Sequence, residues 1–137
     1  MPIPIVWEDT QHRVMRHVYP ARWTLEDYQA LLERSAKLIR GINHRVHIIV
    51  DRRQSQTVPS NILSLVRYAE TLVQPNQGAV VYVQAADFTR TILHAARRIA
   101  PLATGQLHHV DTLPDAYRVI MRLDPAVELN ALFPTTE

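Results

Sequence analysis

No cysteine occurs in the 137 residues, which excludes disulfides, thiolate nucleophiles and cysteine-ligated metals. Glycine is nearly as scarce, with Gly41, Gly78 and Gly105 the only three. Phosphate cradles need glycine-rich turns, and neither a P-loop nor a dinucleotide fingerprint is present. Lysine is reduced to Lys37 beside fourteen arginines, and the formal net charge is only +2. Those arginines are scattered along the chain rather than clustered, which is weak support for nucleic-acid binding, since that needs a clustered basic face. No apolar run approaches the ~20 residues of a membrane span. The stretch MPIPIVW, Met1 to Trp7, has no basic region ahead of a long apolar segment. The expectation is a cytosolic protein without a secretory signal, membrane association or nucleic-acid partner.

What is present reads as one domain with a real hydrophobic core. Ile3, Ile5 and Trp7 share one side of a short extended run, and Pro2 and Pro4 suit an edge strand. EDTQH, Glu8 to His12, reads as a turn into a second strand, Arg13 to Tyr19. So short a connection implies an antiparallel pair. WTLEDY, Trp23 to Tyr28, is the cleanest local signal. Thr24 suits the helix N-cap with Asp27 completing a capping box, and Trp23 and Tyr28 form a hydrophobic staple. Tyr28, Leu31, Leu32, Ser35, Leu38 and Ile39 give that helix its inward face, and Gly41 suits its C′ position.

VHIIV, Val46 to Val50, is apolar on both faces except at His47, as expected for a strand covered from both sides. A second helix follows through Ile62, Leu65, Val66, Ala69, Leu72 and Val73, with Pro59 in its first turn, and stops before the turn cluster QPNQG. AVVYV, Ala79 to Val83, is the next apolar strand. Asp87 caps a third helix with Phe88, Ile92, Ala95, Ala96 and Ile99 inward, closed by Pro101. QLHHV is the last strand. DTLPD then opens a final helix, with Thr112 as cap, Pro114 in the first turn, and Leu113, Ala116, Tyr117, Ile120 and Leu123 as its stripe. The expected fold is α/β, a single mixed sheet of five strands with four helices, in the order β-β-α-β-α-β-α-β-α. The first strand is antiparallel and the rest are parallel. Residues 1–124 form the domain and 125–137 a C-terminal tail whose Leu129, Leu132 and Phe133 have an apolar side.

This order, with VHIIVD (Val46–Asp51) as a central strand ending in an acidic residue and VDTLPDA (Val110–Ala116) as a closing segment, resembles the STAS fold of bacterial anti-sigma-factor antagonists. The resemblance covers roughly residues 3–123. It implies a noncatalytic regulatory module in bacterial signalling that binds another protein. Phospho-switched members carry Asp-Ser-Ser/Thr-Gly where the second helix begins. Here VPSN, Val58 to Asn61, keeps a hydroxyl at Ser60 as a candidate phosphorylation site but lacks the aspartate and the glycine. A phosphoserine there would lie near the positive end of a helix. The chain also resembles CRAL-TRIO domains, which are longer and enclose a large apolar cavity. Four helices number just enough to cover the sheet, so no lipid cavity is expected.

Histidine is the first residue to test for metal or enzyme chemistry, and seven occur. His108 and His109 are adjacent on a strand and point to opposite faces. His44 and His47 do not make a tight ligand pair, and H-E-x-x-H is absent. His47 reads as a strand residue with a hydrogen-bond partner. There is no G-x-S-x-G elbow. No catalytic residue, metal site or cofactor is expected. What remains is the rim at the carboxyl end of the sheet: Asp51, Arg52, Arg53, Ser60 and Asn61, with Gln84, Asp87 and His109 nearby. The simplest reading pairs Asp51 with an arginine and leaves Arg52 and Arg53 in solvent. A sharper one makes the rim a contact surface for a protein or a small anion or nucleotide. Self-association as a homodimer would use the Ile3–Trp7 edge or the Leu129–Phe133 tail.

Overall fold

The computed structural model describes residues 2–84 and 87–129, with side chains for all of these except 87–90. Five strands form one sheet in sequential order: β1 (Ile5–Trp7), β2 (Val14–Val18), β3 (Val46–Asp51), β4 (Gln77–Val83) and β5 (Leu107–Val110). β1 is antiparallel to β2, and every later pair is parallel, as the order of elements predicts. The helices are α1 (Leu25–Arg40), α2 (Val66–Leu72), α3 (Asp87–Ile99), the four-residue α4 (Pro101–Thr104) and α5 (Leu113–Leu123). No helix among the described residues is long and apolar enough to cross a membrane.

Sequential order has a geometric consequence. Each right-handed crossover from β2 to β5 advances the same way, so α1, α2 and α3 fall on one face of the sheet. The core divides accordingly. Met15, Ile48, Val50 and Val80 pack with Leu31 and Ile39 of α1 on that face. Val14, Ile49, Ala79, Val81 and Val83 pack with Ala116, Tyr117 and Ile120 of α5 on the other. β3 lies between them and is buried at all six positions.

The local signals act as their chemistry requires. Thr24 accepts the Asp27 N–H at 3.1 Å, and the Asp27 carboxylate accepts the Thr24 N–H at 2.9 Å, completing the capping box. Trp23 and Tyr28 meet with ring centroids 6.0 Å apart. Thr112 caps α5 by accepting the Asp115 N–H at 3.2 Å. Gly41 closes α1 at φ −78°, so its left-handed freedom is not used.

Several expectations need correcting. The second helix does not start at Pro59: a 3₁₀ turn over Ile62–Leu65 comes first, and no side chain caps it at Asn61. α3 ends at Ile99, ahead of Pro101 as expected, but Pro101 also opens the short α4, because a proline at the first helical position loses no helical N–H bond. Leu38, at the margin of the α1 stripe, is 38% exposed, and Leu123, at the last turn of α5, is 51% exposed. Glu8–His12 is a turn as expected, but Glu8 within it is a buried carboxylate. Gly78 belongs to β4 rather than to a turn. Part of the expected tail docks on its own domain, since Val127 is buried in the α5 cluster with Leu129 packed against it. Leu132 and Phe133, and the side chains of Asp87 and Phe88, lie outside the described residues.

Candidate functional site

Strand pleating sends neighbouring rim residues to opposite faces. Asp51 points toward α5, into a buried chain of ionic groups. Its Oδ2 accepts from Arg16 Nη1 at 2.9 Å and from Arg53 Nη2 at 2.7 Å. Its Oδ1 accepts from Arg53 Nε at 2.8 Å and from the Arg53 backbone N–H at 3.1 Å. Arg16 Nε also donates to Glu8 Oε1 at 2.7 Å, and Tyr117 Oη donates to the same oxygen at 2.7 Å. Burial pushes the Asp51 carboxyl up, but the hydrogen bonds from Arg53 and Arg16 outweigh it and hold it below its ordinary value. With four hydrogen bonds accepted, Asp51 is occupied as a structural anion. The expected Asp–Arg pairing is present, and Arg16 is a second partner that no spacing in the sequence announces.

Arg52 is the main correction at the rim. It is 8% exposed rather than solvated, and it points toward the α1–α3 face. Its guanidinium carbon lies 5.2 Å from the Tyr19 ring centroid and 5.4 Å from that of Trp23, within cation–π range. Nη2 donates to Ser55 Oγ at 2.9 Å, and the same oxygen accepts the Trp23 indole N–H at 3.0 Å. Ser55 thus ties the loop after β3 to the entry of α1, helped by the Gln56 N–H to Ala21 carbonyl bond at 3.0 Å. Burial lowers the Arg52 pKa from its usual value.

Beneath this junction, between the sheet and helices α1 to α3, lies a cavity of about 140 Å³. Arg52 and the rings of Tyr19, Trp23, Tyr28 and Tyr82 line it together with aliphatic side chains of β3, β4 and α1. Tyr19 is buried, while Tyr28 and Tyr82 are half-buried. None of these three phenol hydroxyls has a hydrogen-bond partner among the described residues. Burial raises all three tyrosine pKa values, so the phenols stay protonated as donors. The sequence gives no expectation of this cavity, and its volume is that of a benzene ring rather than an acyl chain. Trp23 and Tyr28 therefore serve helix entry and cavity wall at once. A signal for Tyr19, Arg52 and Tyr82 existed in strand parity. His17, Val50 and Tyr82 are register partners, and Tyr19 and Arg52 each lie two residues beyond theirs.

The rest of the rim is simpler. Ser60 and Asn61 are exposed in the turn before the 3₁₀ segment. The first residue of α2 is Val66, so Ser60 does not sit at an α-helical N-terminus as expected. Arg53 is exposed, Gln84 is exposed at φ 58°, and His109 stands beside Tyr82 with ring centroids 5.9 Å apart.

The histidines are dispersed, and no group of three or more potential metal ligands occurs among the described residues. His108 and His109 do point to opposite faces, opposite Val81 and Tyr82 respectively. His17 is buried beside Ser35 Oγ at 3.2 Å, and burial, with a smaller contribution from Arg34, lowers its pKa to about 3. His47 is 2% exposed and fills a defect in the ladder. Between the Val46–Gln77 and Ile48–Val80 pairs two residues of β4, Gly78 and Ala79, oppose the single His47 of β3, and the spare Ala79 N–H donates to His47 Nδ1 at 3.0 Å. That contact leaves the proton on Nε2, which donates to Asp124 Oδ2 at 2.9 Å. Both ring nitrogens are spent on structure.

Comparison of the chain with family models, with curated proteins and with solved structures yields no match.

Proposed function

We propose that this protein is a noncatalytic regulatory module of the STAS-like kind, acting in the cytosol of a bacterium. A small ligand held against Arg52 is the input, and the loop from Arg53 to Asn61 is the surface that a partner protein reads. The observation that carries this reading is the burial of Arg52: a guanidinium that lines a cavity and bonds through Ser55 to the loop above it. Ligand and rim are then two sides of one junction. The antiparallel first strand and the sequential order of the parallel strands support the STAS-like part of the reading.

A thermal-shift panel of nucleotides, phosphorylated metabolites and carboxylic acids tests the input, because a ligand of the folded state must raise its stability. At least one class is expected to raise the melting temperature. No shift across the panel overturns the reading. The output is tested with the double variant Gln54→Glu, Asn61→Glu, both exposed positions on the loop. Partner capture should fall while the ligand-induced shift persists.

A further inference from the structure

The cavity has a selective chemistry of its own, and assigning it a ligand class rests on the proposal that a ligand binds against Arg52. Arg52 is the one formally charged side chain among the described residues that line it. His17 also lines it, and stays neutral above about pH 3. One guanidinium balances one negative charge. A phosphate dianion would ask for more cations than this wall provides. Tyr19, whose ring centroid lies 5.2 Å from the guanidinium carbon, lines the same cavity as Tyr28 and Tyr82, and the three phenol hydroxyls are donors. Guanidinium and phenol donors together suit the lone pairs of a carboxylate. Most of the remaining wall is apolar, formed by residues such as Leu31, Ile48, Val50 and Val80, with Ser35, Gln77 and Thr104 as its other polar residues. A dry cavity of about 150 Å³ holds a benzene ring, which matches the about 140 Å³ available here.

We propose that this cavity binds a small monocarboxylic acid with a compact apolar body of about benzoate size. Its carboxylate meets Arg52 and the tyrosine hydroxyls, and its body lies against the sheet.

The test uses the full chain carrying Trp7→Phe, which leaves Trp23, in the cavity wall, as its one tryptophan. Benzoate, benzamide, phenyl phosphate and palmitate are titrated while Trp23 fluorescence and melting temperature are followed. Benzoate should perturb the fluorescence and raise the melting temperature. Benzamide, which has the same shape without the charge, should bind at least about tenfold more weakly. Phenyl phosphate and palmitate should also bind more weakly, the first by charge and the second by size.

Arg52→Gln should lose at least about tenfold in benzoate affinity. Arg52 is buried, so two further variants separate loss of binding from loss of fold. Tyr82→Phe keeps the ring and removes one donor, and should lose about threefold. Ala69→Leu fills the cavity from α2, and should abolish binding without lowering the melting temperature. Equal binding of benzoate and benzamide overturns the proposal, as does tighter binding of phenyl phosphate or palmitate. Undiminished benzoate affinity in Ala69→Leu does so too. If phosphorylated metabolites stabilise the protein and carboxylates do not, this inference fails and the ligand-responsive reading stands. If benzoate binds but never alters partner capture, the regulatory reading fails and this inference stands.

Discussion

Glu8 and Arg16 show how much at the level of single residues a linear sequence can hide. Glu8 lies in a segment of turn-like composition, and Arg16 sits in a strand of mixed polarity. Both are buried because each completes the other's charge, with Asp51 and Tyr117 filling the remaining positions. Nothing in the spacing of residues 8, 16, 51 and 117 announces that convergence. It arises from strand register, which sets Arg16 beside the end of β3. Taking one partner out of a buried ionic chain costs about 3–5 kcal/mol, whereas an exposed pair contributes under about 1. Glu8→Gln should therefore lower the denaturant midpoint by an amount worth about 3 kcal/mol. Arg118→Ala, which breaks the exposed pair with Asp115, should barely move it. Equal effects from the two would mean that burial of the chain adds nothing.

Elements were more legible than residues. The longer helices carry their periodicity and the inner strands their apolar runs, and Thr24 and Thr112 announce helix starts through chemistry confined to four residues. What failed at this scale were boundaries set by packing. Pro59 permits a helix start without compelling one, and the backbone tightens into a 3₁₀ turn before α2. The segment after α5 has no periodicity, yet Val127 enters the core because α5 alone cannot cover its face of the sheet. A chain ending at Asp124 should lose about 2 kcal/mol of stability, from burial of the Val127 side chain and part of Leu129. Chemical denaturation of the two lengths checks this, and identical curves would assign that segment no part in the core. Sedimentation of the same two samples tests whether the tail mediates self-association.

The whole molecule responds to acid through a buried group that also lines the cavity. His17 ordinarily titrates near 6.5, and its burial lowers that to about 3. Between these values the unfolded chain holds a proton that the folded chain refuses. Stability is therefore complete above about pH 6.5 and declines as pH falls toward 3, by up to ~4 kcal/mol. Asp51 and Asp124, both held below the ordinary carboxylate range, add to the loss at still lower pH. His17→Leu should flatten the dependence between about pH 6.5 and about pH 4. An unchanged slope in that variant would remove His17 from the account. The sheet was readable at this scale because right-handed crossovers admit few topologies. The cavity was not, since it requires three strand ends to be superposed and their facing side chains compared.

One contact also limits how this chain can drift over evolutionary time. A Cβ placed on Gly78 would lie 2.4 Å from His47 Nδ1, inside the ring's own van der Waals envelope. The glycine is thus required by a neighbour thirty-one positions away rather than by its own backbone. Positions 47, 78 and 124 should then vary as a set among descendants of a common ancestor. A lineage that gains a side chain at 78 should have lost the imidazole at 47, and with it any reason to keep an acid at 124.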